Sequence, residues 1–247
     1  MVTTLHTTGP ALTLPRRVER KYVLPQPRTP GAAAWLRHAC RPAPEYATGA
    51  VSSCYFDTPN FDSYYESADG ALSKGKVRLR WYDAWPASGS PGGGTDADAE
   101  LPAFLELKCR QGAESWKRRL PLTLPRDGGA PHPALPGPGQ LTELLARLGY
   151  SAPGALRPAA LVRYRRRRFV EPVTGARVSL DHDVTVSAPW MRRAPPLRFD
   201  EAVVEIKGQD EDALPRRLAA LGRFAQPWSA NSKYAAAVEA LDLVPGQ

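Results

Sequence analysis

Residues 76–82 read KVRLRWY. Val77, Leu79 and Trp81 fall on one side of a period of two, and Lys76, Arg78 and Arg80 on the other. Such alternation predicts a β-strand, because successive side chains leave opposite faces of the backbone. One face is apolar; the other carries only cations. A half-buried strand ordinarily turns its charges to solvent. The fold therefore depends on whether other strands repeat the pattern with charges that complement one another.

They do. Glu19 and Lys21 share a face in 17–24, and Glu106 and Lys108 share one in 103–110, opposite Leu105 and Leu107. Arg166 and Arg168 share a face in 160–170, Arg177 lies in 176–181, and Glu205 and Lys207 oppose Val204 and Ile206 in 202–207. Three of these strands carry Glu-x-Lys, which sets an acid and a base about 7 Å apart on one face. Two arrangements fit. One is an open sheet whose charged face is solvated and laced with weak ion pairs. The other is an α+β fold built on a closed antiparallel β-barrel, charged faces inward, apolar faces outward beneath a few flanking helices. Ser, Thr, Asn and Gln are scarce among the charges, which favours the barrel. A lumen of Arg and Lys must hold an anion, since unpaired buried cations are very costly. A linear polyphosphate or a nucleoside triphosphate suits it, because phosphoryl oxygens accept Arg and Lys hydrogen bonds. The glutamates would hold Mg²⁺ or Mn²⁺, hard cations that bridge phosphate oxygens.

The remaining elements predict one domain over 16–247 after a flexible arm, 1–15. Val51 opens a strand over 51–56, and 61–67 is a short aromatic helix. Residues 103–110 and 114–124 form a hairpin, 84–100 and 125–138 are loop insertions, and 184–187 is a separate strand across a turn from 176–181. Helices are expected over 32–40, with Thr29 as N-cap and Pro30 in the first turn, over 140–148, stopped by Gly149, and over 212–224 and 232–243.

The 247 residues carry a net charge of +8, which favours polyanionic partners without choosing among them. The run 165–168 is four arginines, a nucleic-acid patch if all pointed one way. Alternation splits it, so only Arg166 and Arg168 turn inward, and nucleic acid is not expected. No stretch reaches the roughly 18 apolar residues of a membrane span, and the N-terminus lacks a signal-peptide pattern; membrane attachment would need a partner. Cys40, Cys54 and Cys109 are odd in number and widely spaced, which argues against a disulfide framework and for the cytoplasm. The four histidines lack metal-site spacing, and there is no Walker motif, GxGxxG or GxSxG. The Tyr and Trp residues read as core or barrel-rim packing rather than as base-stacking platforms.

RVERKY (17–22), SSCYFDTPNFDSYYE (52–66), KVRLRWY, FLELK (104–108), YRRRRF (164–169), RVSLD (177–181), VVEIK (203–207) and NSKY (231–234) stand in the order found in the VTC catalytic domain. The chain resembles that family, the polyphosphate polymerase branch of the triphosphate tunnel (CYTH-like) metalloenzymes, from about residue 16 to 243. The resemblance implies a tunnel enzyme that moves the terminal phosphate of ATP onto a growing polyphosphate chain with Mn²⁺ or Mg²⁺. It makes Lys21, Arg78, Arg80, Lys108, Arg166 and Arg177 the catalytic cations that grip phosphate. Tyr164, Lys207, Ser232 and Lys233 would bind substrate, the last two at a helix N-terminus. Glu205 would be the metal carboxylate, helped by Glu19 or Glu106. Related hydrolases open with Glu-x-Glu-x-Lys; Arg17 occupies the first of those positions here, which leans toward the polymerase. Ala230–Asn231 stand where some polymerase members carry a further Lys. The alternatives are a metal-dependent tripolyphosphatase or nucleoside triphosphatase, with water as acceptor, and a non-catalytic polyphosphate-binding module.

Overall fold

The structure, a computed structural model, describes residues 6–7, 12–14, 18–82, 100–112, 114–125, 132–191, 194–208, 214–227 and 232–244. Among them eight long strands dominate: β1 (Val18–Pro25), β2 (Thr48–Asp57), β3 (Ser73–Trp81), β4 (Leu101–Gln111), β5 (Glu114–Leu124), β6 (Arg157–Val170), β7 (Arg177–Ser187) and β8 (Glu201–Gly208). Four α-helices accompany them: α1 (Thr29–Ala39), α2 (Asp62–Ala68), α3 (Pro138–Arg147) and α4 (Lys233–Ala240). The long strands run β5-β4-β3-β2-β6-β7-β8-β1 in one sheet, every pair antiparallel. The architecture is α+β and mostly antiparallel sheet, as the alternation predicts.

Among the described residues the expected hydrogen-bonded closure is not present. Among the described residues β5 and β1 lie at opposite ends of the pairing order, and each meets only short strands on its far side. His6–Thr7 and Leu12–Leu14 pair with β5, and Gln226–Pro227 pairs with β1. The sheet nevertheless curls hard. Five strands separate β4 from β1, which in a flat sheet is a distance of about 29 Å, yet Lys108 Nζ on β4 lies 4.0 Å from Glu19 Oε2 on β1. The right-handed twist of strands accumulates into such curvature, and here it brings the charged faces of remote strands together.

Side-chain direction follows the sequence pattern. Val77, Leu79 and Trp81 pack with Leu105, Leu107, Leu120 and Leu122 against Leu141, Leu144, Leu145 and Leu148 of α3 and its end. A second outer cluster sets Leu24, Val178, Leu180, Val204 and Ile206 against Ala32, Ala33 and Leu36 of α1. Helices therefore cover the apolar convex face. Each fully buried Leu there contributes about 1.5–3 kcal/mol. The concave face is not wholly polar. Tyr234, Ala237 and Val238 of α4 lie on Val51, Tyr55, Val162 and Tyr164.

Several local expectations need correction. Two pieces of the arm, His6–Thr7 and Leu12–Leu14, are edge strands on β5; the rest of 1–15 lies outside the described residues, as do 84–99 and 126–131. Thr29 is the first residue of α1 rather than its cap; Arg28 holds the cap position, and Thr29 Oγ1 is buried without a hydrogen-bond partner. Arg177–Ser187 make one strand, β7, not two. A register shift between His182 and Thr185 absorbs the extra residue, with Asp183 in the left-handed region at φ 53°, as a bulge allows. In place of the expected helix over 212–224 there is a 3₁₀ helix, Arg216–Arg223, behind extended Pro215; 212–213 are not described. Gly149 ends α3 at φ +64° as expected. No described helix is long and apolar enough to cross a membrane.

Candidate functional site

The concave face is organised around three acidic centres, four carboxylates in all, that sequence alone does not rank. Glu106, in the middle of β4, has a side chain only 1% exposed. Arg78 donates to Glu106 Oε2 through Nε at 2.7 Å and approaches it through Nη2 at 2.6 Å. Lys117 Nζ and Arg119 Nη2 donate to Oε1, the latter at 2.8 Å, and Arg80 Nη1 lies 3.9 Å from Oε2. The register explains the convergence. Arg78 on β3 and Arg119 on β5 sit directly opposite Glu106, on either side. Burial pushes the Glu106 carboxyl up, but Arg78, Arg80 and Lys117 overcome this and hold it well below the usual range. Glu106 is the counter-ion of a four-cation cluster, not a free metal ligand.

Asp181 on β7 is the second anchor and is fully buried. Arg166 grips it in the bidentate manner, Nε to Oδ1 at 2.6 Å and Nη2 to Oδ2 at 2.8 Å. Lys233, first residue of α4, donates to Oδ2 at 2.8 Å. Burial raises Asp181; Arg166 and Lys233 outweigh it and bring its pKa down to about 2. Arg166 Nη2 also reaches Glu205 Oε2 at 3.3 Å.

Glu205 and Glu19, on the adjacent strands β8 and β1, are the third. Lys207 Nζ bridges them, 3.1 Å from Glu205 Oε1 and 3.8 Å from Glu19 Oε2. Lys21 Nζ lies 3.3 Å from Glu19 Oε1. Burial raises Glu205; a hydrogen bond with Glu19, then Lys207, Arg166 and Lys233, hold it well below the ordinary value. Two hard carboxylates already converging on one cation suit Mg²⁺ or Mn²⁺, which commonly take one or two carboxylates plus phosphate oxygens. Glu19 and Glu205 therefore fit a metal. Glu106 does not, because four cations crowd its two oxygens and no second carboxylate stands beside it to share an ion. No group of three or more His, Cys, Asp or Glu among the described residues could hold an ion by itself.

The remaining expected residues are placed as follows. Tyr164 is buried; its hydroxyl accepts from Arg80 Nη2 at 3.3 Å, and its ring lies 5.3 Å from Arg166 Cζ and 4.9 Å from Lys233 Nζ. Ser232 caps α4, accepting from Ala235 N at 3.4 Å and from Lys76 Nζ at 3.2 Å. Lys108 points into the same space but is 57% exposed. Arg177 is exposed at the start of β7, opposite Lys207, away from the Glu106 cluster. Lys76, Lys117, Arg119 and Asp181 belong to the site and were not among the expected site residues. Their signal was present as parity. Lys117 and Arg119 share a face of β5, and Asp181 shares the Arg177 face of β7. Lys76 is pushed down to about 8 by burial, with Lys108, Lys21 and Lys74 adding to the shift. Burial and then Arg78 take Lys117 to about 7 despite Glu106. Arg165 points away, 3.7 Å from Asp183.

Asp57, at the end of β2, holds two helices over this face. It is fully buried and accepts from the backbone N–H of Thr58, Ser63 and Tyr64 at 2.8–3.1 Å and from the Tyr234 hydroxyl. Tyr234 in turn stacks on Tyr55, centroids 5.0 Å apart, and Tyr55 accepts from Arg78 Nη1 at 3.2 Å.

Solved structures that resemble the chain include protein PH1819 of Pyrococcus horikoshii, 14% identical with TM-score 0.44, covering 90% of this chain and 99% of that one. Protein bh2851 of Bacillus halodurans is 15% identical with TM-score 0.43, covering 79% and 82%. Hippeastrum HpAC1, described with a dominant triphosphatase activity, is 16% identical with TM-score 0.44, covering 93% and 98%. No curated protein sequence matches. The VTC domain model matches residues 16–242, nearly the whole chain, and the chain belongs to the VTC domain family.

Proposed function

We propose that this protein is a polyphosphate polymerase-like phosphotransferase that moves the terminal phosphate of ATP onto a polyphosphate chain held along its concave face. One observation carries the reading. Lys21, Lys76, Arg78, Arg80, Lys108, Lys117, Arg119, Arg166 and Lys233, drawn from five strands and a helix, share one curled surface. Their carboxylate partners are fewer, so the face carries an excess of positive charge with hydrogen-bond donors directed into it. A chain of phosphoryl groups offers the matching acceptors.

In this reading Arg78, Arg80 and Arg166 are pre-aimed by Glu106, Asp181 and Tyr164, so little reorganisation is needed when charge develops on the transferring group. Lys76 and Lys108 would lie along the acceptor chain, with Lys21 and Lys207 beside them and Arg177 at the rim. Ser232 and Lys233 would meet phosphate at the start of α4. Glu205 and Glu19 would hold Mn²⁺ or Mg²⁺, which when bound neutralises phosphoryl oxygen charge. The acceptor is the terminal phosphate of the chain. The three cysteines are free and buried, which fits an ATP-using enzyme of the cytoplasm.

Incubating the pure protein with ATP and Mn²⁺ tests this. Acid-labile polymer together with ADP is the expected result. Free phosphate without polymer would make water the acceptor and the protein a triphosphatase. Binding of polyphosphate with no turnover would make it a polyphosphate-binding module.

A further inference from the structure

The cation rows of β3 and β4 do not end alike at their two ends. Along β3 the concave-facing residues run Lys76, Arg78, Arg80 and then Tyr82 just past the strand; along β4 they run Lys108, Glu106, Phe104. Because the strands are antiparallel, with Lys76 opposite Lys108 and Arg80 opposite Phe104, both rows are lysine at one end and aromatic at the other. Tyr82 and Phe104 meet edge to face, centroids 6.4 Å apart at 71°. Arg119 Cζ covers the Phe104 ring at 4.3 Å, and Arg168 Cζ lies 5.8 Å from the Tyr82 centroid. Arg168 is held there by donating to the Tyr46 carbonyl at 2.8 Å. Tyr82 is 41% exposed, an apolar ring left in water at the end of a phosphate-gripping row.

We propose that Tyr82, backed by Phe104 and Arg168, is a stacking platform for the base of a nucleoside triphosphate, so that ATP lies with its base at the aromatic end and its phosphates toward Glu106 and the lysine end. This rests on the phosphate-transfer reading above and adds the orientation of the nucleotide. A planar base buries the exposed ring face and meets a guanidinium plane, the two contacts that recognise unpaired bases. The contact is tolerant of base identity, since every base has a π-face. A bare phosphate chain has no flat apolar surface and gains nothing from Tyr82. The sequence reading of Tyr82 as rim packing is the rival.

That difference supplies the test. Affinities of the β,γ-imido analogue of ATP and of inorganic tripolyphosphate are measured on wild type, Tyr82→Ala and Tyr82→Phe in the presence of Mn²⁺. The expected result is that Tyr82→Ala weakens the nucleotide roughly tenfold and leaves tripolyphosphate unchanged, while Tyr82→Phe retains nucleotide affinity. Equal weakening of both ligands, or no weakening of either, overturns the platform while leaving the phosphate face standing. A wild-type protein that binds neither ligand overturns the phosphate-transfer reading and this inference with it.

Discussion

Glu106 shows how a single residue can be read two ways. By resemblance it is a helper at the metal; in the structure it is a buried anion whose two oxygens are shared by Arg78, Arg80, Lys117 and Arg119. Removing one partner of a buried ion cluster strands the others, at a cost of about 3–5 kcal/mol. Glu106→Gln should therefore lower Tm in phosphate-free buffer, and added tripolyphosphate should recover more of that loss in the variant than it adds to wild type. Unchanged Tm in the variant would remove Glu106 from this role. The pH dependence has a definite sign. A carboxyl held below its unfolded value of 4.5 contributes stability that is present above that pH and lost as pH falls through the folded value. Lys76 works in the other direction on binding. With its pKa near 8, it is uncharged at higher pH, so tripolyphosphate affinity should fall as pH rises through about 8. Lys76→Arg should flatten that profile in a calorimetric titration. A wild-type affinity flat from pH 7 to 9 would contradict it. The cations on the long alternating strands were legible from parity. The choice of partner was not, because Arg78 bonds to Glu106 only through a β3–β4 register that one strand cannot reveal.

Among the elements, seven of the eight long strands were expected to within a few residues, since each has one face that must leave water, and β7 was expected as two. It failed where local backbone chemistry overrides period. The β7 bulge at Asp183 carries no glycine to announce it, and Pro215 precedes a 3₁₀ turn rather than an α-helix. Asp57 is the element-scale feature that sequence hides. It lies between the strand expected over 51–56 and the helix expected over 61–67, yet it ties α2 to α4 through three backbone N–H groups and Tyr234. Asp57→Ala would leave those buried donors unpaired, each worth about 1–3 kcal/mol. The expected outcome is a large loss of stability with amide exchange accelerated first in α2 and α4. Protection that stays uniform across the sheet and both helices would argue against the tether.

For the whole molecule, inverted patterning is the central physical fact: leucines of β3, β4 and β5 lie under α3 outside, and Arg78, Arg80, Lys108, Lys117 and Arg119 of the same strands lie within the curl. Twist brings Lys108 to Glu19 across five intervening strands, so the pocket is a property of curvature rather than of any one motif. That curvature was foreseen from the charged faces; the open seam between β5 and β1 among the described residues was not, because alternation specifies which way side chains point and says nothing of whether the sheet edges meet. The most direct measurement is a calorimetric titration of inorganic tripolyphosphate into wild type, Arg78→Ala and Arg165→Ala. The curled cationic face predicts tight binding by wild type, a loss of roughly 10–100-fold for Arg78→Ala, and no change for Arg165→Ala, whose side chain points outward. Equal affinities for all three proteins, or a larger loss at Arg165, would contradict it.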